Sequence, residues 1–190
     1  MSRFPPIPRA NQTPEQQECH DFIDESTKLY GDTFTQKNSD GAFLGPFTPV
    51  LYTPSLVKNW IDLNLNISKL LSPRERELAI LAVMSYAPAA YGLYAHVRLS
   101  RKLGLTESQI QDAKEGRTPK GLSEKDEMTY ELARELARLR APLSNESFAK
   151  AEKVLGKEGV AAVIHTAGIF LYSTIIFNGA DVPLPEGESI

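Results

Sequence analysis

Apolar positions in this chain recur at helical spacing, and clear stop signals separate the runs. Thr13-Pro14-Glu15-Gln16 predicts a capping box with proline at the first helical position, opening a helix that runs to about Tyr30. Thr53-Pro54 opens a second helix carrying Leu56, Val57, Trp60, Ile61, Leu63, Leu65 and Ile67. Ser72-Pro73-Arg74-Glu75 is another capping box. The stretch Leu78 to Met84 that follows is apolar on every face, which predicts a helix buried all round. Pro88 marks the break into a helix from about Ala89 to Leu103, closed by Gly104. Thr106 to Gln109 caps a short helix ending near Gly116. Ser123 opens a charged amphipathic helix through Arg140, and Ser144 opens another through Leu155. The last helix, about Glu158 to Phe177, is mostly apolar. No alternating strand pattern persists. The expectation is an all-α compact helical bundle forming one domain over 1–190. It has an extended N-terminal segment at 1–12, a long loop with glycine and proline breaks at 31–52, and a C-terminal tail at 181–190.

Composition narrows the partners. A net charge of -3, from 21 basic and 24 acidic side chains, is too mild and too evenly mixed for a nucleic-acid or anionic-membrane surface. The single cysteine, Cys19, has no partner for an internal disulfide, and no Cys/His cluster has zinc spacing. Neither a metal nor a cofactor is therefore expected. Met1 to Ala10 lacks an apolar signal core. The longest apolar stretches are interrupted by Gly, Ser, His or Asn, so none is expected to span a bilayer and a cytoplasmic location follows. Two strongly apolar helices, 78–84 and the last, are more than one small domain readily buries, which predicts a homo-oligomer.

The chemistry concentrates on one histidine and one glutamate. His20 lies in a polar first helix and is expected at the surface. His96 shares a helical face with Ala89, Gly92, Leu93, Ser100 and Leu103, so it should point inward, with small neighbours leaving room for a ligand. Glu75 is occupied by its cap, while Arg74 and Arg76 can serve the surface. Glu77 shares its face with Ile80, Leu81 and Met84, where a carboxylate is costly unless it has a partner or a task. Two antiparallel helices joined near Pro88 would bring Glu77 and His96 together as a general acid/base unit. The plain alternative is a core histidine with a satisfied hydrogen bond, and a glutamate that offsets a helix dipole.

Glu77 and His96, in the settings Arg-Glu-Arg-Glu-Leu-Ala-Ile-Leu and Tyr-Gly-Leu-Tyr-Ala-His, resemble the carboxymuconolactone decarboxylase and alkylhydroperoxidase D family. Leu103-Gly104-Leu105-Thr106, the C-terminal Phe177-Asn178-Gly179-Ala180-Asp181-Val182-Pro183 and the loop Gly45-Pro46-Phe47 also fit it. The resemblance implies an all-α fold assembled as trimers or hexamers, with sites lined partly across subunits. The peroxidase branch carries cysteines seven and four residues before the histidine, where this chain has Ala89 and Gly92. Disulfide-based peroxide reduction is thereby excluded. The cysteine-free branch usually reads Phe-Glu-Trp before the histidine, and here Tyr91-Gly92-Leu93 replaces it.

Tyr86, Tyr91, Tyr94, His165, Tyr172 and Asn178 are candidate pocket residues, and Phe47 is a candidate lid. The expected activity is that of a cofactor-independent lyase of decarboxylase type, or an isomerase or cyclase, on a small organic acid, lactone or polyketide-like metabolite. His96 would move the proton and Glu77 would orient it. The alternative is a non-catalytic oligomeric protein that binds a small molecule on the same scaffold. A Glu77–His96 contact beside an open cavity favours the enzyme.

Overall fold

The computed structural model describes residues 2–190, and every regular element of more than a bridge pair among them is helical. The order is α1 (Pro14–Thr27), α2 (Phe47–Val50), α3 (Pro54–Ile67), α4 (Pro73–Tyr86), α5 (Ala90–Lys102), α6 (Glu107–Lys114), α7 (Glu124–Leu136) and α8 (Asn145–Ala180). Local chemistry sets most starts. Thr13, Ser72 and Thr106 each accept from the backbone N–H three residues on, and Gln16, Glu75 and Gln109 reach back in complete capping boxes. Ser123 and Ser144 cap α7 and α8 alone. Gly156, at φ 69° and ψ 168°, breaks α8 into the two helices that the sequence predicts. Helix α7 is shorter than its pattern. After Leu136 the chain tightens into turns, Arg138 N–H to Glu135 and Leu139 N–H to Leu136, before Pro142.

Helix α4 is the hub. Its residues Leu78 to Met84 are all buried, packed by α5, α6, α7 and α8. One chain alone therefore covers this helix. Each such Leu, Ile or Val contributes about 1.5–3 kcal/mol by leaving water. A second core joins α1, α2 and α3 through Ile23, Phe43, Phe47, Val57 and Ile61. A third seats Tyr91 and Tyr94 of α5 against Phe177 and Val182. The second and third cores wall the site between them.

Helix α8 is long and apolar enough to cross a bilayer by length and composition alone, where the sequence reading expected none. Half of its most apolar window lies inside the protein. Its outer face is apolar too: Ile164, Tyr172 and Ile175 are exposed, as are Leu56 and Leu63 on α3. His20 also departs from expectation. It is buried, its Nδ1 accepting from Gln12 Nε2 at 3.0 Å and its ring tilted against Phe43. Burial, reinforced by Lys37, lowers its pKa.

The segment 31–52 is ordered by contacts with α5 and contains the short α2. Tyr91 donates its hydroxyl to Thr35 O at 2.6 Å, and Tyr94 accepts from Thr35 N at 3.0 Å. Gly45 turns in the left-handed region at φ 64°, where a side-chain carbon would fall 2.3 Å from Tyr91 Cε1. Gly41 has a similar φ of 71° with nothing within 4 Å. Gly41→Ala should therefore cost only the left-handed penalty, about 1–2 kcal/mol. Gly45→Ala should cost about 1–3 kcal/mol more, because Tyr91 must also move. Denaturant unfolding of both variants checks this, and equal losses would mean that the loop is not wedged against Tyr91.

Candidate functional site

The capping box at Ser72 sets the phase of α4 and turns Glu77 into the protein, where it has no solvent exposure. Pro88 ends that helix, and α5 returns alongside it carrying His96. Glu77 Oε2 and His96 Nδ1 lie 2.7 Å apart. A carboxylate only accepts, so the imidazole carries its proton on Nδ1 and presents an unprotonated Nε2 when neutral. Nε2 has no protein partner among the described residues. Phe170 stands edge-on to the ring at 5.1 Å. The second Glu77 oxygen accepts from Arg76 Nε at 3.3 Å. Arg76 is thus drawn into the site and does not serve only the surface.

His96 lines two neighbouring spaces. The larger, about 120 Å³, is walled by Phe34, Phe47, Trp60, Tyr91, Phe170 and Phe177, and His96 is the only ionisable nitrogen base or acid among its lining side chains apart from tyrosine hydroxyls. The smaller, about 50 Å³, holds Arg76, Glu77, Asn64 and Thr166. Tyr30 lines both. Several pocket hydroxyls are already spent on their own helices: Thr27 donates to Ile23 O at 2.8 Å and Ser173 to Ile169 O at 2.9 Å. Among the described residues no group of three or more His, Cys, Asp or Glu is placed to hold a metal.

Tyr91 and Phe47 line the cavity as the sequence predicts, and Phe47 does so from α2 within the loop. The other candidates lie elsewhere. Tyr86 is nine residues beyond Glu77 on α4, about 14 Å along the helix, and its exposed hydroxyl accepts from Arg140. Tyr94 is buried behind the wall, under the Arg98 guanidinium at 4.0 Å. His165 and Tyr172 share a face of α8, but it is the outer one; Thr166, Phe170, Ser173 and Phe177 are the residues that face the site. Asn178 is exposed and donates to Pro88 O at 3.0 Å, tying the end of α8 to the α4–α5 corner.

Of the small residues before His96, Gly92 and Ala95 line the cavity. Ala89 does not; it packs into the Tyr91–Phe177 cluster. A side-chain carbon on Gly92 would lie 2.5 Å from Met84 Cε. The other walls come from α1, the loop and α3. Those elements supply Tyr30, Trp60 and Asn64, which sequence reasoning missed. Tyr30 closes a helix with no periodic signal, and Trp60 reads as an ordinary apolar helix residue.

The profile of the Carboxymuconolactone decarboxylase family matches residues 54–135, a span that includes both Glu77 and His96. No curated protein matches the sequence significantly. Two solved structures share the fold over almost the whole chain. One is an alkylhydroperoxidase AhpD core, an uncharacterized peroxidase-related protein from Ralstonia eutropha JMP134. It is 14% identical with a TM-score of 0.76, covering 97% of this chain and 93% of that one. The other is the debrominase Bmp8, as a cysteine-to-alanine variant in complex with 2,3,4-tribromopyrrole. It is 16% identical with a TM-score of 0.68, covering 96% of this chain and 91% of that one. Residues 54–135 are thus similar to the Carboxymuconolactone decarboxylase family, without the paired cysteines, and the helical fold is similar to that of the AhpD core.

Proposed function

We propose that the protein is a cofactor-independent enzyme that moves a proton at a carbon atom of a small organic acid, lactone or polyketide-like metabolite. The reaction would be a decarboxylase-type lyase reaction, an isomerisation or a cyclisation. The observation that carries this reading is the 2.7 Å Glu77–His96 contact at the edge of an apolar cavity. Glu77 fixes the ring and the tautomer, and Nε2 faces the substrate as base and then as acid. The larger space has no Lys or Arg in its lining, which favours substrates with little charge over polycarboxylates. The debrominase on this fold binds 2,3,4-tribromopyrrole, a single flat ring, which fits a pocket of this size. A purely binding role is the weaker reading, because it leaves the free Nε2 of an oriented histidine without a task.

Our reading assigns a cytoplasmic location and a homo-oligomeric state, a trimer or hexamer. Its support is the apolar outer face of α8 and α3, where Ile175 is 70% exposed. Light scattering should give a multiple of the 21.0 kDa chain. Ile175→Lys should shift the population towards smaller species, and a stable wild-type monomer at micromolar concentration would contradict the assignment.

Thiol chemistry is not part of this reading. Cys19 donates to Pro54 O at 3.3 Å, and burial, with Glu15 and Glu18 nearby, raises its pKa and disfavours the thiolate. No organic hydroperoxide should be turned over with a dithiol reductant. Turnover that vanished in Cys19→Ser would show a thiol mechanism.

The proton-transfer role is tested on the pair itself, with substrate candidates screened for CO2 release and for solvent deuterium uptake at carbon. His96→Ala should lower the rate by about 10²–10⁴ and keep the fold. Glu77→Gln should cost less, since it keeps shape and one acceptor. If both variants instead lose activity only in step with folded protein, the contact is structural.

A further inference from the structure

The polar groups of the cavity are unevenly committed, and this unevenness identifies what a substrate must bring. Tyr91 and Tyr94 spend their hydroxyls on Thr35. Thr27 and Ser173 donate theirs to backbone carbonyls inside their own helices, so they offer a ligand only lone pairs. Asn64 donates to Trp60 O at 2.8 Å. Tyr30 is different. Its hydroxyl makes no hydrogen bond among the described residues, and its side chain lines both the apolar space and the small polar one. It arrives from outside the α4–α5 pair, on the tight turn Lys28–Tyr30 that extends α1. Its ring leans on Phe34 at 5.4 Å, which fixes its direction. Burial raises its pKa; the Arg76 guanidinium opposes the rise and the Glu77 carboxylate adds to it. The hydroxyl therefore stays protonated at neutral pH and is a donor with no acceptor among the described residues.

We infer that Tyr30 is the group that hydrogen-bonds the carbonyl or enol oxygen of the substrate, and that the substrate is a ring-sized, weakly charged compound with one enolisable oxygen. This rests on the proton-transfer reading of His96. The larger space, at about 120 Å³, is of the order that holds one small ring; apolar cavities of roughly 150 Å³ take up benzene. In the step, His96 Nε2 removes a proton from carbon. The C–H electron pair becomes a C=C bond, the carbonyl π pair moves to oxygen, and Tyr30 O–H stabilises the resulting enolate. Return of the proton from His96 to a different carbon of a conjugated enolate completes an isomerisation. In a decarboxylation the breaking C–C bond of the carboxylate supplies the same electron pair, CO2 leaves, and carbon takes a proton from His96 in its protonated form, which water then restores. No oxidant or reductant is consumed.

The inference is tested with two probes that differ by one oxygen, fluorobenzene and 4-fluorophenol, titrated by ¹⁹F NMR into wild type, Tyr30→Phe and His96→Ala. Wild type should bind both and prefer the phenol. In Tyr30→Phe the phenol should weaken by about 3- to 10-fold, one neutral hydrogen bond, with fluorobenzene unchanged. A full phenol preference in Tyr30→Phe overturns the role of Tyr30, while a preference lost only in His96→Ala leaves the proton-transfer reading standing. If the preference survives in both variants, neither group meets the oxygen and the proposal falls. If neither probe binds wild type, the ring-sized substrate class falls, and the His96 rate effect is judged on its own.

Discussion

A carboxylate with no access to water organises the centre of this protein. Glu77 is fully buried on a helix whose other buried residues, apart from the cap residue Glu75, are Leu, Ile, Ala, Val and Met. An ionised group in such surroundings persists only when its oxygens are bonded and its charge is compensated. Arg76 takes one oxygen and His96 the other. Each compensating group is then held in turn: Arg76 reaches Ser68 O at 3.4 Å, and His96 rests against the edge of Phe170. The positions of α3, α5 and α8 around α4 follow from this chain of obligations as much as from apolar burial. The same chain leaves Nε2 of His96 without a partner among the described residues.

The cavity next to it is made by the first third of the protein. Helices α4 to α8 share a continuous core of their own. Helix α1, the loop and α3 form a separate layer whose apolar contacts run through Phe43, Phe47 and Val57. Where the two layers meet, aromatic rings cannot interdigitate fully, and the residual space is the site. Thr35 and Gly45 hold the layers in register through Tyr91 and Tyr94. One wall of the cavity is thus a loop anchored by two tyrosines, opposite the helices that carry Glu77 and His96.

Helix existence, starts and the Glu77–His96 contact were legible because they rest on short-range chemistry: caps, periodicity, and two residues equally far from one corner. Errors arose where a face had to be chosen without knowing the neighbours. His165 and Tyr172 are two turns apart, as are Thr166 and Ser173, and spacing cannot say which pair looks inward. Packing of α8 on α4 decides it, and it decides for the second. Arg76 and His20 show a related blind spot. Their polarity suggests solvent, whereas one neutralises Glu77 and the other bonds Gln12 inside the α1 layer. Tyr30 was invisible because its meaning depends wholly on where α1 lies against α4.

The close fit of Met84 over Gly92 bears on what the start of α5 can carry. A side chain at 92 would meet the Met84 methyl, the flexible end of its side chain, and has room only if that end swings aside. The first turn of α5 thus shares its volume with α4, and the size of residue 92 is set by a neighbour that touches neither Glu77 nor His96.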